Sequence, residues 1–277
     1  MASVDPFSLT GDPLIEAVTA AVRVHMSQYD GSHDFNHIRR VVGLSRHLWQ
    51  SYDHNTHSES ADPRVVVLAA LLHDVGDRKY IKSAEYAPVS DDEVQAIDAL
   101  VQDTPYASDT GARATAAVFH RCARSVPAQV VEGQEVDIVA LGRKVILVCQ
   151  NVSWSAENRT DATRAAVEAL AKKMPELAVV QDADRLDSLG AVGVARCFAY
   201  GAKAGVEGKA QGRSLEDSLD HFDKKLVLVG KRMKTREGIR LAAERTLRLQ
   251  MVQTWFRDEA SFAVGGGEAE EEASKEA

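Results

Sequence analysis

Apolar residues recur every three or four positions along most of the chain, which is the spacing of one buried helix face. In DPLIEAVTAAVRVHMSQY, residues Leu14, Ile15, Val18, Val22 and Met26 share a face, and Asp12 before Pro13 is a helix start. DFNHIRRVVGLSRHLWQSY repeats the pattern with Ile38, Val41, Val42, Leu44, Leu48 and Trp49. PRVVVLAALLHDVG is apolar throughout from Val65 to Leu72; its Ala and Leu content and its length predict a buried helix rather than a buried strand, opened by Pro63 and stopped near Gly76. SDDEVQAIDALVQD places Ser90 three residues before Glu93, a capping-box pattern. ATRAAVEALAKKM, ADRLDSLGAVGVARCFAYG, SLEDSLDHFDKKLVLVGKRM and REGIRLAAERTLRLQMVQTWFRDEA are four further helix candidates.

Between these elements, SYDHNTHSESADP is polar and turn-rich, and reads as a loop. From Gly111 to Asn151 the periodicity weakens, and RSVPAQVVEGQEVDIVALG reads as a hairpin or excursion. No repeat is present, and no series of strands alternates with the helices, which argues against a Rossmann-type sheet. The expected fold is an all-α helical bundle with an irregular excursion around residues 108–150. An N-terminal extension is expected over 1–12, one helical domain over 13–258, and a disordered acidic tail over 259–277.

Composition changes this picture little. A length of 277 residues, 45% hydrophobic and 27% charged, suits a globular protein with a substantial core. No apolar run reaches the ~18 residues of a membrane helix, and MASVDPFSLTGD lacks the basic and apolar regions of a secretory signal. Cys122, Cys149 and Cys197 are widely spaced and give neither a disulfide framework nor CxxC, so a reducing compartment, the cytoplasm, is expected. The formal charge is −8, but the last ten residues, EAEEEASKEA, carry five Glu against one Lys, so the body is only mildly acidic. Nothing here is built for duplex nucleic acid, which needs a basic face. A small anionic substrate needs only a few local cations.

Three helices carry polar residues that a core would reject. They are His37, following Asp34 and Asn36; the pair His73-Asp74; and Asp182, Asp184 and Asp187 in VVQDADRLDSLGAVGV. A buried imidazole or carboxylate costs several kcal/mol without a partner. A divalent metal supplies one. Two His with two Asp form a nitrogen and oxygen donor set suited to Mn, Fe, Co, Ni or Mg in octahedral geometry, leaving two positions for water and a substrate oxygen. Adjacent helix residues point about 100° apart, so His73 and Asp74 can share a metal only near the end of their helix. His54 and His57, with Asp53 and Glu59, lie in a polar loop without apolar support and read as solvated.

The order His37 … His73-Asp74 … Asp184 resembles the H…HD…D signature of the HD-domain superfamily of metal-dependent phosphohydrolases. HDFNHIRRVVGLS resembles its first ligand helix, LAALLHDVGDRK its HD helix, and QDADRLDSLGAVGVAR the last ligand helix of its small single-domain bacterial and fungal members. DHFDKKLVLVGKRMKTREGIRLAAERTLRLQMVQTWFRDE is similar to the end of those members, and the likeness spans about residues 14–258. It implies an HD-domain bundle with metal ligands His37, His73, Asp74 and Asp184, the last chosen over Asp182 by its ADRL context. Asp182 or Asp187 then stands behind the ligands and orients a histidine.

The same resemblance places an acid that assists the attacking water at Asp77. Arg40 shares a helix face with His37 and is the first choice for binding phosphate, Lys79 the second; Arg185 points away and reads as a surface residue. Asn151 and Ser153, in VCQNVSWSAE, are candidate substrate contacts, and Trp154 a surface for a base. Only His120 lies between the HD pair and Asp184, which argues for one metal. The expected activity is hydrolysis of a phosphoester or phosphoanhydride in a small molecule, foremost a nucleotide, by a monomer or homodimer with no membrane or nucleic-acid partner. An HD-type iron oxygenase and a non-catalytic, metal-stabilised binding module are the alternatives.

Overall fold

The computed structural model describes residues 5–28, 34–53, 61–77, 86–102, 104–128, 130–131, 134–203 and 212–263. The protein is all-α, as the periodicity predicts. Helix α3 (Pro63–Leu72) is its axis: Val65 through Leu72 are all fully buried. Around it pack α1 (Pro13–Met26), α2 (Phe35–Gln50), α6 (Ile138–Val152) and α9 (Pro175–Asp187). Each valine or leucine buried this way contributes about 1.5–3 kcal/mol. Phe7, in the segment expected as an extension, also joins this core.

Side chains set the helix starts. Asp12 accepts from the N–H groups of Leu14 and Ile15, Asp34 from His37 and Asp62 from Arg64, each satisfying donors that the first turn leaves open. Ser90 likewise caps α4 (Asp91–Val101), while the Glu93 carboxylate reaches back to the N–H of Val89. No described helix is long and apolar enough to cross a membrane.

The irregular excursion expected around 108–150 is much narrower in the structure. Helix α5 (Thr110–Arg124) and α6 occupy most of that interval, leaving a short hairpin in which β1 (Val130–Val131) pairs antiparallel with β2 (Gln134–Glu135). The small residues of GARATAAVFHRC weaken its apolar signal, but they let α5 pack closely on α6 and α1. After α7 (Trp154–Glu157) and α8 (Asp161–Lys173), the segment read as one helix from 183 divides in two. Helix α9 ends at Asp187, the chain turns, and α10 (Gly190–Gly201) begins at a glycine with φ of +68°. A side chain there would be strained. Helix α11 (Leu215–His221), a π-helical turn at Phe222–Leu226, α12 (Val227–Gly230) and α13 (Arg236–Ala260) complete the bundle. The tail expected from 259 is therefore helical to Ala260, and from 264 onward it lies outside the described residues.

After α3, His73 takes the C-cap position and the chain turns at once. The turn is held by a glycine-to-glycine approach: a Cβ on Gly111 would lie 2.3 Å from the carbonyl oxygen of Gly76, and one on Gly76 would lie 2.7 Å from that of Gly111. Neither backbone can yield without moving the HD turn or the start of α5. Gly111→Ala is expected to destabilise the fold by about 1–3 kcal/mol; an unchanged denaturant midpoint would show that the contact is not needed.

Candidate metal centre

Three helix segments converge at the end of α3. His37 comes from the first turn of α2, His73 and Asp74 from the turn after α3, and Asp184 from the last turns of α9. Both imidazoles are almost fully buried. His37 Nε2 lies 3.3 Å from Asp74 Oδ2 and 3.6 Å from Asp184 Oδ1. His73 Nε2 lies 3.4 Å from Asp74 Oδ1 and 3.7 Å from the same Asp184 oxygen. His37, His73 and Asp74 form a group in which one ligand atom from each lies within 4.8 Å of the others. Asp184 adjoins it.

The far nitrogens fix the tautomers. His73 Nδ1 lies 2.9 Å from the carbonyl oxygen of Ala70, which can only accept, so Nδ1 carries the proton and Nε2 of the neutral ring presents a lone pair. His37 Nδ1 donates to Asp187 Oδ2 at 2.7 Å with the same result. His73 Nε2 is buried and has no hydrogen-bond partner. Burial disfavours a charged His73 ring, yet Asp74 and Asp184 outweigh it and push the pKa up to about 9. The spot attracts positive charge.

These residues fit a divalent cation. Donors held about 2.1 Å from one ion at right angles lie about 3 Å apart, close to the separations found between the imidazoles and carboxylates. The buried Nε2 of His73 makes no hydrogen bond and faces the carboxylates of Asp74 and Asp184.

Asp187 stands behind His37. Besides His37 Nδ1 it accepts Arg40 Nε at 2.7 Å, Arg40 Nη2 at 3.1 Å and Arg196 Nη1 at 2.9 Å. Burial opposes its ionisation, but His37, Arg40 and Arg196 hold its carboxyl far below the usual range. Arg40, expected to contact phosphate, is thus engaged in fixing Asp187. Arg196 was not anticipated from sequence, because the break between α9 and α10 interrupts the periodicity that would relate it to Asp187.

Asp182 is a correction. It does not face the cluster but accepts from the N–H groups of Lys234 and Thr235 and from the Thr235 hydroxyl, at 2.7–3.0 Å, anchoring the start of α13. Asp182→Ala is expected to destabilise the fold by about 1–3 kcal/mol through those stranded donors while leaving metal content unchanged. Elemental analysis of the purified variant beside its melting curve checks both halves.

Asn151 is a second correction. It is buried, its amide oxygen accepts from the Tyr106 hydroxyl at 2.8 Å and its amide nitrogen donates to the Leu147 carbonyl at 2.8 Å, so it does not face a substrate. Arg185 is not a surface residue either. It is buried, paired with Glu157, bonded to the Arg232 carbonyl at 2.9 Å, and lies over the Trp154 ring. Lys79, His54 and His57 lie outside the described residues.

The cluster forms part of the lining of a cleft of about 730 Å³. Asp77, Ser153 and Trp154 line the same cleft, as do three cations, Arg159, Arg196 and Lys225. Arg159 makes no hydrogen bond or ion pair with a described residue, and Lys225 is carried in by the π-helical turn. Cys149 also lines the cleft, but burial pushes its thiol pKa far up, which argues against a thiolate nucleophile.

Fold and cluster together define a class: an all-helical domain with a His-His-Asp centre, suited to a divalent metal, in the lining of a cleft. The HD domain family profile matches residues 34–189, more than half of the chain, and the chain belongs to that family. Membership implies divalent metal binding and suggests a metal-dependent hydrolase. YpgQ of Bacillus subtilis (strain 168), an uncharacterised protein, is 26% identical over 244 residues, which is 88% of this chain and 92% of its own. Among solved structures, a Lactobacillus plantarum protein aligns with TM-score 0.55 at 21% identity, over 92% of this chain and all of that one. Lin1889 from Listeria innocua aligns with TM-score 0.51 at 21% identity, over 90% of this chain and 98% of that one. These two likenesses concern the fold. The structure of YpgQ in complex with ADP aligns with TM-score 0.49 at 23% identity, over 89% of this chain and 98% of that one.

Proposed function

We propose that this protein hydrolyses a phosphoester or phosphoanhydride bond in a small molecule, foremost a nucleotide, with one divalent metal held by His37, His73, Asp74 and Asp184. The observation that carries the reading is the orphaned Nε2 of His73, buried beside His37 and two carboxylates where they line a cleft with three cations. When bound, the ion acidifies a water and polarises a phosphoryl oxygen. Among the described residues no second histidine pair lines the cleft, which supports one metal rather than the two that the oxygenase reading needs.

The chain's own residues do the rest. Asp187 keeps the proton of His37 on Nδ1, and Arg40 and Arg196 keep Asp187 ionised and in place. Asp77 is positioned by its N–H, which donates to the Asp74 carbonyl at 3.1 Å, and it orients the attacking water or takes its proton. Arg159 and Lys225 take phosphate oxygens in place of Arg40, which is held by Asp187. Ser153 is exposed at the cleft and its hydroxyl does not cap α7, so it is available to a substrate oxygen.

Asp77→Ala is expected to keep its metal and lose most of its rate, about 10²–10⁴-fold for a general base. Loss of metal in that variant would contradict the role. The reading as a whole is tested by phosphate and pyrophosphate release from nucleotides, including ADP, and from sugar phosphates, with Mn²⁺, Mg²⁺, Co²⁺ or Ni²⁺ added. Metal-dependent release that chelation abolishes is the expected result. Silence across the panel with metal bound would overturn it.

A further inference from the structure

A second cavity, of about 340 Å³, shares none of the residues that line the cleft. Arg40, Gly43 and Leu44 of α2 border it, with Asp187 and the start of α10, and with Arg245 and Arg248 of α13. Its volume lies at the lower end for small-molecule sites.

The charges along its wall do not balance. Three guanidinium groups face one carboxylate, and that carboxylate already serves His37, Arg40 and Arg196. Arg245 donates to the Leu186 carbonyl at 2.6 Å, a neutral partner, and Asp187 and Glu244 act on its charge only through space. Arg248 meets Glu244 only at 3.7 Å, and Glu244 also serves Arg240 at 3.1 Å. Burial lowers the pKa of Arg245, and Arg248 lowers it further against the pull of Asp187. At Gly43 a Cβ would meet nothing within 4 Å, so the cavity is open along α2.

We propose that this cavity binds a phosphoryl-type oxyanion at a site separate from the cleft, and that its occupancy is felt at the metal centre through Arg40 and Asp187. Planar guanidinium forks match the edges of such an anion. An anion here competes with Asp187 for Arg40, and Asp187 is hydrogen-bonded in turn to His37. Coupling between the two sites must then be reciprocal. The binding claim stands without the metal reading; the coupling claim rests on it.

Calorimetric titration of inorganic phosphate into wild type, Asp74→Ala, Gly43→Glu and Arg248→Gln tests the site at fixed ionic strength. The expected result is binding that survives Asp74→Ala and weakens tenfold or more in both Gly43→Glu and Arg248→Gln. Arg248 is exposed, so its variant keeps the test decisive if Gly43→Glu misfolds. No binding to wild type, binding unchanged in all variants, or binding lost only in Asp74→Ala would overturn the site. Adenosine monophosphate is titrated alongside: tighter binding than inorganic phosphate assigns the cavity to a nucleotide's phosphoryl group, and equal or weaker binding assigns it to free phosphate. For the coupling, the Mn²⁺ dissociation constant of wild type is measured with and without sulfate. A shift of threefold or more that Arg248→Gln removes supports it, and no shift overturns it. Wild type that binds phosphate but no metal would sink the proposed function and the coupling, and leave the anion site standing.

Discussion

Asp74→Ala is expected to remove metal binding and hydrolysis together. Asp74 lies closer to both histidines than Asp184 does, with one oxygen 3.3 Å from His37 Nε2 and the other 3.4 Å from His73 Nε2. Loss of a residue that merely supports a ligand costs about 10–100-fold in metal affinity; loss of a ligand carboxylate itself should exceed about 100-fold. The fold should survive, because Asp74 lies in the turn beyond α3 and the core of α3 is made by Val65–Leu72. Equilibrium dialysis with Mn²⁺, read beside far-ultraviolet circular dichroism, separates the two effects. A folded variant that retains full metal would refute the assignment.

The second large effect belongs to Asp187→Asn. The amide keeps the shape of the carboxylate but removes the charge that faces Arg40, Arg196 and the His37 N–H. An amide nitrogen turned toward those donors cannot accept from them. His37 then loses the partner that keeps its proton on Nδ1, and metal affinity should fall about 10–100-fold. Stability should fall too. Breaking a buried ion pair costs about 3–5 kcal/mol, and since the Arg40 side chain is 36% exposed and screened by water, the lower end applies here. The sign of the pH dependence follows from the lowered pKa of Asp187. Its contribution is present above the unfolded carboxyl value of about 3.9 and is lost as pH falls toward the folded value, so the gap between wild type and Asp187→Asn should narrow in acid. Denaturant melts at two pH values measure this. A gap that widens in acid would mean that Asp187 is not the ionised partner.

Much of this could be read before the fold was known, and the reason is physical. The helices declared themselves through their apolar spacing, and His37, His73-Asp74 and Asp184 stood out because they interrupt apolar faces. Their convergence needs only three helices packed side by side. What escaped the sequence lies where the chain departs from helical periodicity. The positive φ of Gly190 separates α9 from α10 and so brings Arg196 onto Asp187. A π-helical turn, which no heptad or 3.6-residue count predicts, presents Lys225 to the cleft. Arg40 shares the helix face of His37 that its spacing predicts, but spacing says nothing of which anion a guanidinium chooses, and here it is Asp187. Asn151 and Asp182 look like site residues because they are polar; the structure uses both internally, one on Tyr106 and the other on the start of α13.

The proposed hydrolysis requires one cation among His37, His73, Asp74 and Asp184. Crystals soaked in Mn²⁺ and measured for anomalous scattering test it most directly. A single strong peak is expected within bonding distance of both Nε2 atoms and of an oxygen from each aspartate. A peak elsewhere, two peaks of equal strength in the cleft, or none at saturating Mn²⁺ would contradict it.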